Sequence, residues 1–324
     1  MKKTRKLALG IDIGGTNTVF GFVDKKGNIY AEQSIETDAK KGAKKLFSLI
    51  ADEVNKFLSE HGNEFILAGI GIGAPNSNYF TGEMENPPNL NWGKINIVEE
   101  FKKFYDIPVF VTNDANATAI GEKYFGAAKG MKNFIVITLG TGLGSGIVID
   151  GRLVYGADGF AGELGHTIVT AGGRECGCGN RGCLETYVSA TGIRRTVQVL
   201  VGRLHAESAL RDISFTELTA KKIAELAEAG DPIAIEAFQY TGRILGVSLA
   251  NAVAFSRPEA IILFGGLANS GDLLFKPTIE SFEKNLLDVY RGKIKILKSG
   301  LSDCNAAVLG AAALAWSELK KVKK

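Results

Sequence analysis

Proline, histidine, methionine and tryptophan are scarce in this chain of 324 residues, with 7, 3, 3 and 2 of each. So little proline beside an apolar fraction of 45% excludes a low-complexity or linker-like chain and predicts a folded protein throughout, with no long disordered region. Long hydrophobic runs are missing too. The longest, Ala306 to Trp316, is about half of what a bilayer span needs, and no cleavage site precedes or follows the strand-like alternation that starts at Leu7. Charge of one sign is not in excess, since 38 Lys and Arg face 35 Asp and Glu for a net +3. Much of that surplus sits in Lys2, Lys3, Arg5 and Lys6 and in Lys320, Lys321, Lys323 and Lys324, which read as solvated ends. No membrane partner and no nucleic-acid partner are expected, and the cytoplasm is the expected compartment.

Cysteine is rare as well, with four in the chain. Three of them cluster as Cys176, Cys178 and Cys183, just downstream of Glu163-Leu-Gly-His166. Zinc takes thiolate and imidazole in tetrahedral Cys3His sets, and a set without an open position shapes a loop rather than performing hydrolysis. Gly177, Gly179 and Gly182 would let the backbone fold tightly around such an ion. The alternative is a chance cluster of three free thiols; a disulfide would leave an odd thiol behind. Zinc thiolates also agree with a reducing compartment. Cys304 stands apart and reads as a small buried hydrophobe.

The length allows two domains, each with its own core, and an approximate internal repeat supports that division. Leu7 to Ile13 runs through the glycine turn Gly14-Gly15-Thr16-Asn17 into a second strand, Val19 to Val23. Later, Phe134 to Leu139 runs through Gly140-Thr141-Gly142 into Ser145 to Ile149. Two related α/β halves facing each other across a cleft, one glycine turn from each, are a way to build a nucleotide clamp by duplication. Backbone N–H groups of such turns form a concave anion site, and the missing side chains let phosphate oxygens approach; the plainer alternative is that they only connect strands. Aligning Gly14 with Gly140 sets Asp12 opposite Thr138, so the carboxylate occurs once. Asp12 is the candidate acid for Mg2+ on a triphosphate, often held through water, or else a strand-end aspartate bonded to turn amides.

The strand Pro108 to Thr112 ends at Asn113-Asp114, and Ala115 to Phe125 reads as a helix. Ligand sites in α/β sheets gather at the carboxyl ends of strands. Aspartate ahead of a helix is also a preferred N-cap. The two readings are compatible, because a helix amino terminus keeps a carboxylate ionised and ready to accept a hydroxyl proton.

The run from Glu163 to Glu185, Glu-x-x-His followed by Cys-x-Cys-Gly-x-x-Gly-Cys-x-Glu, resembles the signature of the ROK family of bacterial sugar kinases and sugar-responsive repressors. The resemblance implies an α/β actin-like (ribonuclease H-like) two-lobed sugar kinase fold with duplicated β-sheet domains and a zinc-binding loop. Residues 1–112 with 303–324 would form the smaller domain, closed by a helix from Ala306, and 113–302 the larger. It places structural Zn2+ on His166, Cys176, Cys178 and Cys183, and sugar hydroxyls against Glu163, His166 and Glu185. It makes Asp114 the general base, with Asn113 bonding a neighbouring hydroxyl, and Asp12 the acid near Mg2+. Gly71-Ile-Gly73-Ala74-Pro75 and Asn86-Pro-Pro-Asn89-Leu-Asn-Trp92 follow loops that line the hexose pocket in the family, Gly73 and Asn89 among them, although turn chemistry alone also explains such residues. Gly265 and Gly266 would meet the adenosine part of ATP. The implied activity is ATP-dependent phosphorylation of a hexose, glucose at O6 first, with N-acetylglucosamine, N-acetylmannosamine or fructose as alternatives, in a homodimer or homotetramer. Family repressors carry a DNA reader ahead of the first glycine turn; only six residues precede Leu7, so none is expected here.

Overall fold

Successive side chains of a strand point to opposite faces, and the first strand, β1 (Arg5–Ile13), is apolar on both. Leu7, Leu9, Ile11 and Ile13 are buried in one cluster and Ala8 in another. Then come β2 (Asn17–Val23), β3 (Ile29–Glu36), α1 (Ala43–His61), β4 (Phe65–Gly73), the short strands β5 (Glu83–Glu85) and β6 (Lys94–Asn96), α2 (Ile97–Lys102), β7 (Val109–Thr112) and α3 (Asp114–Tyr124). The five-stranded sheet has the order β3-β2-β1-β4-β7. β2 is antiparallel to β1 and β3, while β4 is parallel to β1 and β7. Leu46, Phe47, Ile50 and Val54 of α1 cover the face with the odd residues of β1.

The computed structural model describes residues 4–87, 90–301 and 306–321; Asn89, Cys304 and the outermost lysines of both ends lie outside them. In the second half of the chain come β8 (Phe134–Leu139), β9 (Leu143–Ile149), β10 (Arg152–Leu153), α4 (Ala190–Arg203), α5 (Ala220–Glu228), α6 (Pro232–Ser256), β11 (Ala260–Phe264), α7 (Asp272–Asn285) and β12 (Lys295–Lys298). Their sheet order is β10-β9-β8-β11-β12, with β9 antiparallel and β11 parallel to β8, and β12 parallel to β11. This is the order of the first sheet over again, so the repeat seen in the sequence is a repeat of topology. Asp231 caps α6, accepting from the amides of Ile233 and Ala234 at 3.0 Å, with Pro232 at the first turn, where its missing N–H costs nothing. Among the described residues no helix is long and apolar enough to cross a membrane.

The chain divides into two compact units, residues 1–130 with 153–161 and 300–324, and residues 131–152 with 162–299. The last helix, α8 (Ala306–Lys321), belongs to the first unit. Its Val308, Ala312, Ala315 and Trp316 are buried with Ala8 and Val23. The division differs from the expected 1–112 with 303–324 against 113–302 chiefly in α3 and in residues 153–161, both of which fall in the first unit. Gly121 of α3 meets Gly310 of α8 so closely that a Cβ on Gly121 would lie 2.9 Å from Gly310 Cα, and this packing holds α3 in the first unit. Gly71 has the same explanation. A Cβ there would collide with the Ala311 carbonyl and lie 3.0 Å from Ala315 N, so this glycine serves the approach of β4 to α8 rather than a pocket. Gly71→Ala is expected to cost about 3 kcal/mol by overpacking, read as a lowered urea midpoint with an unchanged slope.

Candidate functional site

Three neighbouring parallel strands end together in the first unit. Asp12 of β1 is in register with Gly73 of β4, and Gly73 with Thr112 of β7; Asn113 and Asp114 follow at once. Gly73 lies between the acids, since a Cβ on it would be 3.5 Å from Asp12 Oδ1 and 3.8 Å from Asp114 Cα. The register thus gathers three residues chosen from separate stretches of sequence, at the strand ends where ligands of α/β sheets bind. Asn89, expected beside them, lies outside the described residues. Its neighbour Asn86 has φ 44° and its carbonyl accepts from Asn76 Nδ2 at 3.2 Å, which is turn chemistry.

Asn113, not Asp114, is the N-cap of α3. Its side chain accepts from Ala115 N–H at 2.9 Å, which leaves its Nδ2 as a donor. Asp114 is the first helical residue and also accepts from Ala115 N–H, at 2.7 Å. The expectation that the helix terminus dominates its ionisation is corrected here. Although part of its surface reaches solvent, the protein packed around Asp114 pushes its carboxyl up, outweighing the amide bonds that pull it down. A base whose affinity for protons is raised is better matched to a hydroxyl proton than an ordinary carboxylate.

Asp12 is raised as well, to about 7, by burial first and by the charge of Asp114 second. Among the described residues no hydrogen bond reaches its carboxylate, so it is not a strand-end aspartate bonded to turn amides. Between its ordinary value of 3.8 and about 7, the native chain keeps a proton that the unfolded chain releases. Without nucleotide or magnesium, stability is therefore expected to fall as pH rises through that window. Thermal melts at pH 5 and pH 8 test this: Asp12→Asn should lose less stability than the wild type on going to pH 8, and an equal loss would refute it.

The first glycine turn closes on itself. Gly14 N–H donates to Asn17 O at 3.1 Å, Thr37 N–H to Thr16 O at 2.9 Å, and Thr37 Oγ1 to Gly14 O at 2.8 Å. These bonds occupy carbonyls that would otherwise repel an anion, while Gly15, Thr16 and Asn17 stay exposed. In the second unit Gly140 N–H donates to Gly142 O, again at 3.1 Å. Thr138, at the place that Asp12 holds in the first copy, accepts the Gly144 amide through Oγ1 at 3.1 Å. Gly142 is half-buried and Thr141 exposed. Gly265 adopts φ +104°, and a Cβ on it would lie 2.7 Å from the Leu139 carbonyl, so the turn after β11 passes against the end of β8 with Gly266 exposed beyond it.

His166, Cys176, Cys178 and Cys183 form a cluster whose ligand atoms all lie within 4.8 Å of one another. Cys176 Sγ is 3.6 Å from His166 Nδ1, and Cys178 Sγ is 3.7 Å from Cys183 Sγ. Tetrahedral zinc with bonds of about 2.3 Å needs ligand atoms roughly 3.8 Å apart, so the donors fit that ion in type and spacing. The same distances are too long for a disulfide. Burial pushes the Cys176 thiol up to about 12 and raises Cys183 as well, so these thiols need a cation to ionise together. Gly179 and Gly182 have φ +93° and +83°, as a tight loop requires; Gly177 has neither a positive φ nor a close neighbour, and the expected need for glycine there is not met. With Nδ1 facing the cysteines, His166 turns Nε2 toward Glu163, whose Oε2 is 3.9 Å away.

Two residues of this region carried no signal in the sequence. Arg174 donates to Thr186 O at 2.8 Å and Gly192 O at 3.1 Å and stacks on Tyr187 at 4.5 Å, bracing the cysteine loop. Leu143 donates its amide to Glu185 Oε2 at 2.9 Å, a bond across 42 positions that only the fold creates.

Residues 8–318 match the ROK family. The chain belongs to the ROK family. It is 39% identical to the glucokinase of Halalkalibacterium halodurans over 85% of this chain and 84% of that one. It is 30% identical to the xylose repressor of Bacillus subtilis over 94% of this chain and 75% of the repressor. Among solved structures, the ROK family glucokinase of Streptomyces griseus, in complex with glucose and AMPPNP, superposes with a TM-score of 0.79 at 33% identity, covering 96% of this chain and 99% of that one. The duplicated α/β sheets are those of ROK sugar kinase structures, the actin-like fold expected from the sequence.

Proposed function

We propose that this ROK protein transfers the γ-phosphoryl group of ATP to glucose, giving glucose 6-phosphate and ADP. The observation that carries the reading is the pair of carboxylates, Asp12 near the end of β1 and Asp114 at the start of α3 just past β7, set around Gly73 of the intervening β4. Asp114 takes the proton of the attacking hydroxyl as its oxygen bonds to the γ-phosphorus and ADP departs; the raised affinity of Asp114 for protons favours that transfer. Asn113, held as a helix cap, offers Nδ2 to a neighbouring hydroxyl. Asp12 would hold Mg2+, which when bound neutralises charge on the phosphates. Gly14, Gly15, Thr16 and Asn17, with Thr141 and Gly142, receive the phosphates on turn amides, and Gly265 and Gly266 pass along the adenosine. His166 would be held by zinc through Nδ1, and its Nε2, beside Glu163, is then a fixed donor to the sugar. Zinc thiolates agree with a reducing cytoplasm, and a homodimer or homotetramer is the expected state in solution.

An ADP-release assay with ATP across glucose, mannose, fructose, N-acetylglucosamine and N-acetylmannosamine tests the reading, with phosphorus NMR to locate the new ester. Glucose is expected to give the highest kcat/KM and phosphate on O6. Sugar binding without ADP formation would overturn the reading in favour of a sensor.

A further inference from the structure

The second glycine turn and the cysteine loop share their supports. Glu185 stands two positions past Cys183, and its two oxygens go separate ways. Oε2 accepts the Leu143 amide at 2.9 Å, while Oε1 lies 3.7 Å from Cys176 Sγ. Gly142 has no room for a side chain because the Glu185 carboxylate occupies the place of its Cβ. A little further on, Ala190 N–H donates to Gly140 O at 2.8 Å. From the other flank Gly165, next to His166, packs so near that a Cβ on it would collide with the Leu143 carbonyl. Three close approaches therefore tie residues 140–143 to the segments that carry His166, Cys176 and Cys183. Among the described residues the bonds of the first turn run instead to Asn17, at the start of β2, and to Thr37, just past β3.

Residues 171–183 contain no helix or strand, only turns, bends and residues of two isolated bridges, Glu175 with Arg181 and Cys183 with Ile168, so an ion held by the four ligands would add a cross-link to this loop. Loosening that loop frees Glu185, and the Leu143 amide then loses its acceptor. We propose that Glu185 is a positioning residue that couples the Cys3His loop to the 140–143 turn, so that metal occupancy sets the affinity for ATP independently of sugar. The coupling rests on the assignment of Thr141 and Gly142 to the nucleotide.

Calorimetry of Mg-ATP binding without sugar, on the full chain, tests it in zinc-loaded wild type, chelator-stripped wild type, Glu185→Ala and Glu185→Gln, with amide exchange of peptides spanning 139–145 followed in each. Stripping and Glu185→Ala should each weaken ATP on the order of tenfold, and should combine to much less than the product, as for one shared link. Amide exchange in the turn should quicken in both. Glu185→Gln keeps an oxygen for the Leu143 amide and should stay within about twofold of wild type; a loss equal to that of Glu185→Ala would overturn the strut. Unchanged ATP affinity and exchange after stripping, with sugar affinity lost, would overturn the coupling alone. Failure of the loaded wild type to bind ATP would overturn the nucleotide assignment beneath it.

Discussion

Asp114→Asn is expected to lower turnover about a hundredfold or more while glucose still binds, as for loss of a general base. The substitution is close to isosteric, and its remaining oxygen can still accept from Ala115 N–H, the bond that Asp114 makes at 2.7 Å. The helix start is not at risk either, because Asn113 supplies the cap. What is removed is the ability to take a proton. Steady-state kinetics separate the outcomes: kcat should fall with glucose KM nearly constant, and near wild-type turnover would reduce Asp114 to a residue of the first helical turn.

The second large effect concerns the metal loop. Cys178 is the exposed member of the cluster, so Cys178→Ser disturbs little packing and reports on metal retention. Bound zinc should drop below one per chain, and glucose affinity should fall on the order of tenfold, because the ligands orient His166 and loss of a ligand or its supports typically costs that much or more. Elemental analysis and glucose calorimetry on the same preparation check the link. Full glucose affinity in a zinc-free sample would break it.

Much of the site was legible in the primary structure because its signals are local. Cys176, Cys178, Cys183 and His166 are close in sequence, and their ligand chemistry needs no long-range information beyond one loop closing on itself. The repeat was legible for the same reason. Alternating apolar residues, a glycine turn and a second strand appear twice as contiguous runs, and the two sheets share one strand order. Asp12 stood out as the one carboxylate that the second copy lacks. The length of α3, read as Ala115 to Phe125 and found as Asp114–Tyr124, followed from its composition to within a residue at each end.

Other properties belong to the fold. That Asp12, Gly73 and Thr112 lie side by side was decided by strand pairing, which brings together residues from distant parts of the chain. The roles of Asn113 and Asp114 were separated by backbone geometry at the start of α3, and the direction of the Asp114 shift by burial outweighing nearby amides. Gly71 and Gly73 look alike in a list of residues, yet one meets a helix and the other two acids. The residues by themselves determined which chemical groups this protein owns and which short loops they form, because spacing and periodicity are properties of neighbours. Tertiary structure alone decided which groups meet and how strongly they hold protons, because contact and desolvation depend on atoms that the chain brings back from far away.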